Sequence, residues 1–411
     1  MKLYGYQTRG AAWLARRPRA YLADDCGLGK TAQAVEAART VRCERTLAVA
    51  PASAVPGWYW HWREMGGPGW FEAHSYDKVR RHPGRWAPGE YDTVILDEAH
   101  YVKNADAART KAALDLARRA DRAWLLSATP MPNHAGELWP VFRTLFPGAV
   151  RQLGVKNRWQ WDSKFTTGYV DSFGRRHITG SQKGGLLRPY LDRIMLRRRL
   201  EDVALDLPPL RVDVQRLPEN LNFSRALVQL GMDPVKVMAA VEAEEGDDGS
   251  TSRLRHMVGL WKAPWVAQAI AEELADGAYA KIVVMAYHRD VLDVFRTALS
   301  KFGVAYIDGS TGHPQRASAV ARFSEVSGPR VFVGQQGATG TGTDGLQAAH
   351  EVVLAEPDWT PDNNYQYIKR IHRIGTDAPC RARMFCVEGT LDEAIIDVAA
   401  RKTRTKAEFG L

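Results

Sequence analysis

The feature that most constrains the fold of this 411-residue chain is the recurrence of short apolar runs, each followed by a helix-like segment. Runs this short and uniformly apolar are typical of strands buried on both faces of a parallel sheet. They fall into two blocks, Thr46–Ala50, Thr93–Leu96 and Trp124–Leu126, and later Ile282–Ala286, Val331–Val333, Val352–Leu354 and Met384–Val387. The intervening segments predict crossover helices over Thr31–Thr40, Ala105–Arg119, Asp290–Ser300 and Pro314–Phe323. The pattern predicts an α/β protein with two parallel-sheet lobes.

Composition excludes several classes of protein. Hydrophobic residues make up 45% and charged residues 25% of the chain, which is typical of a globular protein rather than a disordered one. No apolar run reaches the roughly 18 residues that a membrane helix needs, and Met1–Arg17 does not resemble a signal peptide. The four cysteines form no CxxC pair, which argues against zinc and disulfides and favours a reducing, cytoplasmic compartment.

Positive charge is concentrated in the middle of the chain. Residues 151–200 hold twelve Lys and Arg against three Asp, an excess of nine that equals the net charge of the whole chain, +9. Such an excess favours an anionic partner. We therefore predict four segments: a first lobe at 1–148, a basic helical insertion at 149–218, a second lobe at 219–390 with an acidic loop at 242–250, and a C-terminal helix at 391–411.

A glycine-containing loop, Asp24–Thr31, follows an apolar run and opens a helical segment. Gly27 and Gly29 permit positive φ, so that backbone N–H groups can face phosphate oxygens at the amino end of a helix. Lys30 can reach the β- and γ-phosphates of ATP, and Thr31 can offer its hydroxyl to Mg²⁺. The strict GxxxxGK[ST] pattern fails, because an Asp occupies the position of the first Gly. An ordinary glycine-rich helix cap is the alternative.

A second motif, Asp97-Glu98-Ala99-His100, follows an apolar run. A buried strand would place Asp97 at its carboxyl end, where open α/β sheets bind ligands. Because Mg²⁺ needs few protein oxygens, Asp97 and Thr31 are sufficient together with phosphate oxygens. Glu98 is a candidate for orienting or polarising the attacking water, and His100 for coupling. The alternatives are acids that cap a helix and an ordinary polar histidine.

A basic segment, Gln366–Gly375, is the counterpart in the second lobe, where no second GKT occurs. On a predicted helix, Arg370 and Arg373 are three residues apart and share a face. A guanidinium that reaches the γ-phosphate stabilises the transition state, an effect of about 10³–10⁵ in rate. A basic surface helix that contacts nothing, or only DNA phosphate, is the alternative.

These motifs, in this order, resemble those of superfamily-two helicase-like ATPases of the sucrose-nonfermenting (Snf) group. The narrower resemblance is to the annealing-helicase-like branch and its compact bacterial and phage relatives. Asp24–Thr31 resembles the DEMGLGKT loop of this family, which also lacks the first Gly. The resemblance implies that Gln7 reads adenine. It also implies that Pro51 and Ser53 touch a DNA strand.

The resemblance continues to the end of the chain. Ser127 and Thr129, in Ser-Ala-Thr-Pro, resemble the element that couples hydrolysis to lobe movement, and Gln366 begins a match to QxxxRxHRIG with the same implied role. Ser310 and Thr311 resemble the family's IDGST segment, which implies DNA contact. Gly389–Glu393 and the last helix resemble a brace across the lobes. Tyr4-Gly5 departs from the usual Arg-Pro, Ser-Ala-Thr-Pro from the usual Gly-Thr-Pro, and Gly337–Gln347 is longer than the common form.

The basic middle adds a candidate DNA surface. We predict DNA contacts for Arg175 and Arg176, whereas Arg197 and Arg198 are open between DNA contact and a structural helix. Four tryptophans could stack on bases, although packing is favoured for a protein that grips an intact duplex; they are Trp58, Trp60, Trp62 and Trp70.

The resemblance predicts two RecA-like lobes with a basic, helical insertion and a monomeric, DNA-dependent ATPase. It would use ATP and Mg²⁺ to translocate on duplex DNA and to remodel or anneal junctions. Two other functions stay open: a strand-separating DNA or RNA helicase, and a DNA-binding scaffold that is switched by ATP without hydrolysis.

Overall fold

The computed structural model describes residues 2–82, 85–86, 89–172, 176–203, 207–217, 249–339, 345–373, 375–388 and 390–409. The chain divides into two compact units. The first unit contains Met1–Leu205 and Lys402–Leu411, and the second contains Asp206–Arg401.

A six-stranded parallel sheet, with strand order β3-β2-β4-β5-β1-β8, forms the centre of the first unit over its described residues. Its strands are β1 Arg19–Leu22, β2 Arg45–Ala50, β3 Trp70–Ser75, β4 Thr93–Asp97, β5 Arg122–Leu126 and β8 Met195–Leu196. β8, at the edge beside β1, comes from the basic middle of the chain.

The second unit is built on another six-stranded parallel sheet over its described residues, with strand order β11-β12-β10-β13-β14-β9. The strands are β9 Leu210–Leu217, β10 Ile282–Ala286, β11 Val304–Ile307, β12 Val331–Gln335, β13 Glu351–Leu354 and β14 Cys380–Val387. Two parallel-sheet lobes confirm the predicted fold class.

Helices connect the strands, as the Ala- and Leu-rich intervening segments predict. Those of the first unit are α1 Gly5–Ala15, α2 Lys30–Val41, α3 Val55–Glu64, α4 Tyr76–Arg81, α5 Ala108–Arg119, α6 Trp139–Leu145, α7 Pro147–Gln152, α8 Arg158–Phe165, α9 Gly184–Ile194 and α10 Leu200–Val203. The later ones are α11 Gly249–Ala275, α12 Arg289–Ala298, α13 His313–Ser324, α14 Gln336–Thr339, α15 Pro361–Ile368 and α16 Leu391–Glu408. None of the described helices is long and apolar enough to span a bilayer.

Central strands such as β4 and β10 are buried on both faces, which explains why their sequences do not alternate. In β4, Val94 and Leu96 pack into one core cluster and Ile95 into the cluster on the opposite face. The same division separates Val283 from Val284 in β10. Successive side chains of a strand point to opposite faces, so apolar residues at consecutive positions require two covered faces.

The middle of the chain contains a two-stranded antiparallel hairpin of β6 Thr166–Val170 and β7 Arg176–Ser181. The first unit extends through this region to Leu205. At the other end of the chain, Phe409 is buried in a core cluster of the first unit. The acidic loop at 242–250 lies outside the described residues up to residue 248, as do Gly389 and residues 340–344 of Gly337–Gln347.

A buried ion pair joins α11 to the start of α16 in the second unit. Lys262 Nζ donates to Asp392 Oδ2 at 2.6 Å and to the carbonyl oxygen of Phe385 at 2.8 Å. The side chains of Lys262 and Asp392 are only 1% and 3% exposed. Loss of one partner from such a pair leaves a buried charge without compensation.

We expect Lys262→Ala to lower the free energy of unfolding of the second unit by about 3–5 kcal/mol, because Asp392 would remain buried and charged. Denaturant-dependent hydrogen exchange of β10 and β13 measures this loss for the unit by itself. The control is Lys301→Ala, at an exposed position, which should cost less than about 0.5 kcal/mol. Equal losses in the two variants would contradict the structural role of the pair.

Candidate nucleotide-binding site

The loop Asp24–Thr31 joins β1 to α2 and has the backbone shape of an anion-binding turn. Gly27 and Gly29 have φ values of 83° and 69°. A Cβ atom on Gly29 would lie 2.4 Å from Nε2 of Gln7 and would displace that side chain, while the positive φ itself favours glycine. The loop leads directly into the amino end of α2, where free backbone N–H groups and the helix dipole favour phosphate.

Asp24, at the position of the missing first glycine, is fully buried and paired. Nε of Arg198 donates to Asp24 Oδ1 at 2.9 Å, and Nη2 of Arg198 contacts Oδ2. Gln33 Nε2 also donates to Oδ2, at 3.0 Å. These contacts favour a structural role for Arg198, but the expected helix is wrong, because Met195–Leu196 form strand β8 and Arg198 follows it outside any helix. Arg197 donates to the carbonyl oxygen of Ala128 at 3.1 Å.

The predicted nucleotide-binding side chains converge on this loop. Lys30 Nζ donates to the carbonyl oxygens of Asp24 and Asp25 at 2.9 and 3.2 Å, so its ammonium group lies against the turn. Gln7, which is 4% exposed, donates through Nε2 to the carbonyl oxygen of Leu28 at 3.3 Å. Its Oε1 accepts from the backbone N–H of Tyr4 at 2.9 Å. Thr31 follows Lys30 in the first turn of α2 and is half-buried.

Asp97 lies at the carboxyl end of β4, as predicted. Its Oδ2 accepts a hydrogen bond from Nε1 of Trp58 at 2.8 Å, and its Oδ1 accepts from the backbone N–H of Glu98 at 3.0 Å. Burial, and then the charge of Glu98, raise the pKa of Asp97 to about 6, although the bond from Trp58 and the charge of Lys30 act in the opposite direction. Asp97 ends β4 and the phosphate loop follows β1, and only β5 separates these two strands in the parallel sheet, so both motifs lie at the same carboxyl edge. A bound cation would favour ionised Asp97.

Trp58 is a site residue whose role the sequence did not reveal. Its side chain is 1% exposed, which confirms packing for this tryptophan and for Trp62, at 6%. Most buried indole N–H groups have an acceptor, and only the fold shows that the acceptor for Trp58 is the Asp97 carboxylate. Trp60 and Trp70 remain about half exposed, at 49% and 59%.

Glu98 adopts the left-handed conformation, with φ 47° and ψ 54°. A residue other than glycine pays about 1–3 kcal/mol for this conformation, which persists where the surrounding structure enforces it. Around it lie the three predicted coupling residues of the first lobe. His100 Nδ1 is 3.2 Å from Glu98 Oε2 and 3.0 Å from Ser127 Oγ, and 3.3 Å from Thr129 Oγ1. These polar groups link the acidic motif to the end of β5.

The two predicted DNA-contact residues of the second unit, Ser310 and Thr311, form hydrogen bonds within their own turn. The hydroxyls of Ser310 and Thr311 donate to Asp308 Oδ1 at 2.7 and 3.1 Å, and the Arg289 guanidinium pairs with Oδ2. Burial would raise the pKa of Asp308, but the bonds from Ser310, Arg289 and Thr311 outweigh it and hold the pKa well below its usual value. The two hydroxyls therefore first serve to shape the loop after β11.

The predicted DNA contacts of the first unit lie at separate places. Pro51 is buried and Ser53 half-buried in the turn between β2 and α3. The Arg176 guanidinium donates to the carbonyl oxygens of Thr166 and Asp162 at 3.3 and 3.4 Å. Arg175 lies outside the described residues.

The prediction that Arg370 and Arg373 share a helix face is wrong, because α15 ends at Ile368. A turn follows the helix, in which the backbone N–H of Arg370 donates to the carbonyl oxygen of Tyr367 at 3.2 Å. The backbone N–H of Arg373 then bonds to Thr376 Oγ1 at 3.2 Å. Both arginines therefore lie in turns after the helix, whereas Gln366 is on α15 itself. His372 fixes these turns, since its Nε2 is 2.7 Å from the carbonyl oxygen of Pro208.

Comparison with known families gives two matches in chain order. Residues 73–223 match the SNF2-related domain, and residues 265–375 match the helicase conserved C-terminal domain. The first match includes the acidic motif and the basic middle, and the second includes Arg370 and Arg373.

Several curated proteins are similar over nearly the whole chain. The cattle protein SWI/SNF-related matrix-associated actin-dependent regulator of chromatin subfamily A-like protein 1 is 28% identical over 97% of this chain and 44% of its own length. The mouse DNA annealing helicase and endonuclease ZRANB3 is 28% identical over 98% of this chain and 40% of its own length. The chain thus spans about two fifths of these relatives.

Among solved structures, the Sulfolobus solfataricus SWI2/SNF2 ATPase core in complex with dsDNA is similar with a TM-score of 0.44 and 19% identity. That similarity covers 98% of this chain and 92% of the other.

We expect Trp58→Phe to weaken Mg²⁺-dependent nucleotide binding by about tenfold or more, because a hydrogen bond to a charged group contributes roughly 1.5–3 kcal/mol. The variant keeps an aromatic ring but removes the N–H that holds Asp97. The measurement is the affinity for a fluorescent ATP analogue as a function of Mg²⁺ concentration, with binding in EDTA as the reference.

Trp62→Phe is the matched control for this experiment. Trp62 is also buried and stacks on Phe71 with ring centroids 4.2 Å apart. Its indole nitrogen has no hydrogen-bond partner among the described residues. The account requires normal Mg²⁺ dependence in this control; the same weakening in both variants would mean that packing, and not the bond to Asp97, is responsible.

Proposed function

Because the chain belongs to the SNF2-related family of helicase-like ATPases, we propose that it is a DNA-dependent ATPase that translocates on double-stranded DNA and remodels or anneals junctions and forks. The observation that carries this proposal is the shared site of the phosphate loop and the acidic motif. Asp97 is held by Trp58 at the end of β4, and Lys30 lies against the loop that follows β1, at the same carboxyl edge of the parallel sheet.

The side chains present fit a nucleotide with Mg²⁺. Asp97 offers a buried carboxylate at the end of β4, and Thr31, beside Lys30 at the start of α2, offers a second hard oxygen. No cluster of three or more His, Cys, Asp and Glu suited to a metal occurs in the described part of the chain, so a cation at Asp97 would complete its shell with phosphate and water. Bound Mg²⁺ would offset the negative charge of the phosphates.

The residues of the chain divide the remaining work. Gln7 would contact the base, and the loop with Gly27, Gly29 and Lys30 would hold the phosphates. Glu98 would orient water and accept its proton; in support, its carboxylate contacts Ser127 and His100 rather than being left free to rotate. The strained backbone of Glu98 supports a functional role for this position.

For Arg370 and Arg373, we propose charge stabilisation at the γ-phosphate during hydrolysis. The support is local to the second unit. The turns that carry both arginines are fixed by His372 and Thr376 rather than left as a free surface loop. Gln366, on α15 just before these turns, would couple the nucleotide state to the movement of the lobe.

DNA is the proposed partner because the chain carries a local excess of positive charge and because similar proteins are named as DNA annealing helicases. Lys and Arg contacts to phosphate supply affinity that does not depend on sequence. We propose that the protein acts as a monomer on duplex or branched DNA.

The proposal is tested by ATP hydrolysis with duplex, forked and single-stranded DNA and with RNA, each at several salt concentrations. We expect stimulation by duplex and forked DNA that falls as salt rises. Displacement of a third strand from an intact duplex, without unwinding of a tailed duplex, would support translocation. Unwinding without third-strand displacement would favour a strand-separating helicase, and nucleotide binding without phosphate release would favour the scaffold.

Glu98→Gln should reduce DNA-stimulated turnover by about 10²–10⁴-fold while nucleotide binding persists, because the amide cannot accept a proton. Lys30→Ala should weaken nucleotide binding as well. The measurements are steady-state phosphate release and equilibrium binding of a fluorescent ATP analogue. Glu36→Gln, on the outer side of α2, is the matched control and should hydrolyse ATP normally. Normal turnover by Glu98→Gln would refute its assignment.

Arg373→Ala should bind nucleotide normally. Its single-turnover rate constant for hydrolysis should fall by about 10³-fold or more, because the guanidinium would no longer stabilise the transition state. Arg322→Ala removes an exposed guanidinium from α13 of the same unit and should leave the rate unchanged. An undiminished rate in Arg373→Ala would remove this residue from the catalytic site.

A further inference from the structure

The β6–β7 hairpin stands apart from the parallel sheet of the first unit but is firmly attached at its base. Trp161 and Phe165, which precede it on α8, are fully buried. Ser181 Oγ accepts from the backbone N–H of Ala135 at 2.8 Å, and Gln182 N–H donates to the carbonyl oxygen of Phe165 at 2.9 Å. The base of the hairpin is therefore fixed by hydrogen bonds to Ala135 and Phe165.

Beyond its base, the hairpin exposes apolar and aromatic groups. Residues 167–170 of β6 are all exposed, with Tyr169 at 38% and Val170 at 60%. The ring of Tyr169 stacks on that of His177 across the ribbon, with centroids 5.1 Å apart and an interplanar angle of 12°. A two-stranded ribbon gains little stability alone, so rings and a valine at its exposed end suggest a partner rather than a core.

The surroundings of the hairpin identify that partner as a polyanion. The segment 151–200 carries the excess of nine positive charges, and exposed cations precede and follow the ribbon in the sequence, among them Lys156, Lys183 and Arg188. Trp159 on α8 is exposed as well, at 68%. Basic residues interleaved with exposed aromatic rings are typical of surfaces that bind single-stranded nucleic acid.

The side chains of the ribbon favour stacking over groove reading. A two-stranded ribbon fits the major groove, but it reads base edges there through donors and acceptors. On the described ribbon the one guanidinium, that of Arg176, turns back to the carbonyl oxygens of Thr166 and Asp162. His177 Nε2 is 2.9 Å from Asp171 Oδ2. Tyr169, Val170 and His177 are the large side chains that remain exposed on the described ribbon.

We propose that Tyr169 and His177 form a stacking platform for unpaired bases at the branch point of DNA, with the surrounding Lys and Arg side chains holding the adjacent phosphates. This inference rests on the proposed function, since it names the part of a branched substrate that the protein recognises. The motor would act on the duplex, and the hairpin would select the place where the duplex ends.

The direct test uses forked DNA with 2-aminopurine as the first unpaired base, whose fluorescence falls when it stacks on an aromatic ring. The full chain is titrated without nucleotide, so that hydrolysis plays no part. We expect quenching by the wild type and by Tyr169→Phe. Tyr169→Ala should quench little and bind the fork roughly five- to 150-fold more weakly, the range measured for loss of one stacked base.

Two comparisons make the result specific. Blunt duplex of equal length should bind Tyr169→Ala as tightly as the wild type, because it offers no unpaired base. Trp70→Ala, which removes an exposed ring from β3 of the same unit, should behave as the wild type on both DNAs. Circular dichroism should show that Tyr169→Ala keeps the fold. If Tyr169→Ala does not fold, Tyr169→Phe still tests the proposal, because this variant keeps the ring and should quench like the wild type.

The inference is overturned if Tyr169→Phe fails like Tyr169→Ala, if Tyr169→Ala loses blunt duplex equally, or if the fork is bound without quenching. Stronger quenching by forked RNA than by forked DNA would overturn the choice of DNA. Failure of the proposed function looks different, since the wild type would then hydrolyse no ATP with any DNA. In that case the quenching experiment would still give its own answer.

Discussion

The ion pair between buried Asp24 and partly buried Arg198 is the interaction on which the site depends. It joins residues 174 positions apart, the phosphate loop and the segment after β8, and the same guanidinium also bonds to Gln33 of α2 and to the backbone of Tyr6 in α1. One side chain thus fixes three elements around the loop. Gly10 gives it room, because a Cβ there would lie 2.5 Å from Arg198 Nη2. Asp24, at the position of the missing glycine, therefore ties the loop to Arg198 and Gln33 through its paired carboxylate.

A second constraint follows from the fixed positions of the acidic groups. Asp97 is held by the indole of Trp58, and Glu98 is held in a strained backbone with its carboxylate against Ser127 and His100. Groups that are already in position need no reorganisation when charge develops, which is how enzymes gain most from electrostatics. The second unit follows the same rule, because the turns carrying Arg370 and Arg373 are closed by His372 and Thr376.

The sequence predicted the layers of the fold better than its edges. Central strands such as β4 and β10 are continuous apolar runs, so their burial on two faces is legible. The edge strand β9, with polar residues at alternate positions, and the two-residue β8 carry no such signal. The hairpin was missed for the same reason: its strands are exposed, and register in an exposed ribbon is not set by an apolar face.

Within the site, the sequence identified residues through local motifs and failed where the partner is distant. Lys30, Asp97 and Glu98 stand beside recognisable loops and strand ends. The acceptor of the Trp58 indole and the partner of Asp24 are long-range facts that no spacing encodes. The end of α15 before Arg370 is another, because His372 is held by the backbone of Pro208, which lies 164 residues away in sequence.

We propose that the loop with Lys30, together with Asp97, forms the nucleotide site of this chain. The most direct measurement is a crystal structure of the protein with Mg²⁺ and a non-hydrolysable ATP analogue. The account predicts phosphates on the backbone N–H groups of residues 27–31, with the metal ion about 2.0–2.1 Å from Thr31 Oγ1 and held by Asp97 directly or through water. Phosphates bound elsewhere, or a metal ion that neither side chain contacts, would contradict it.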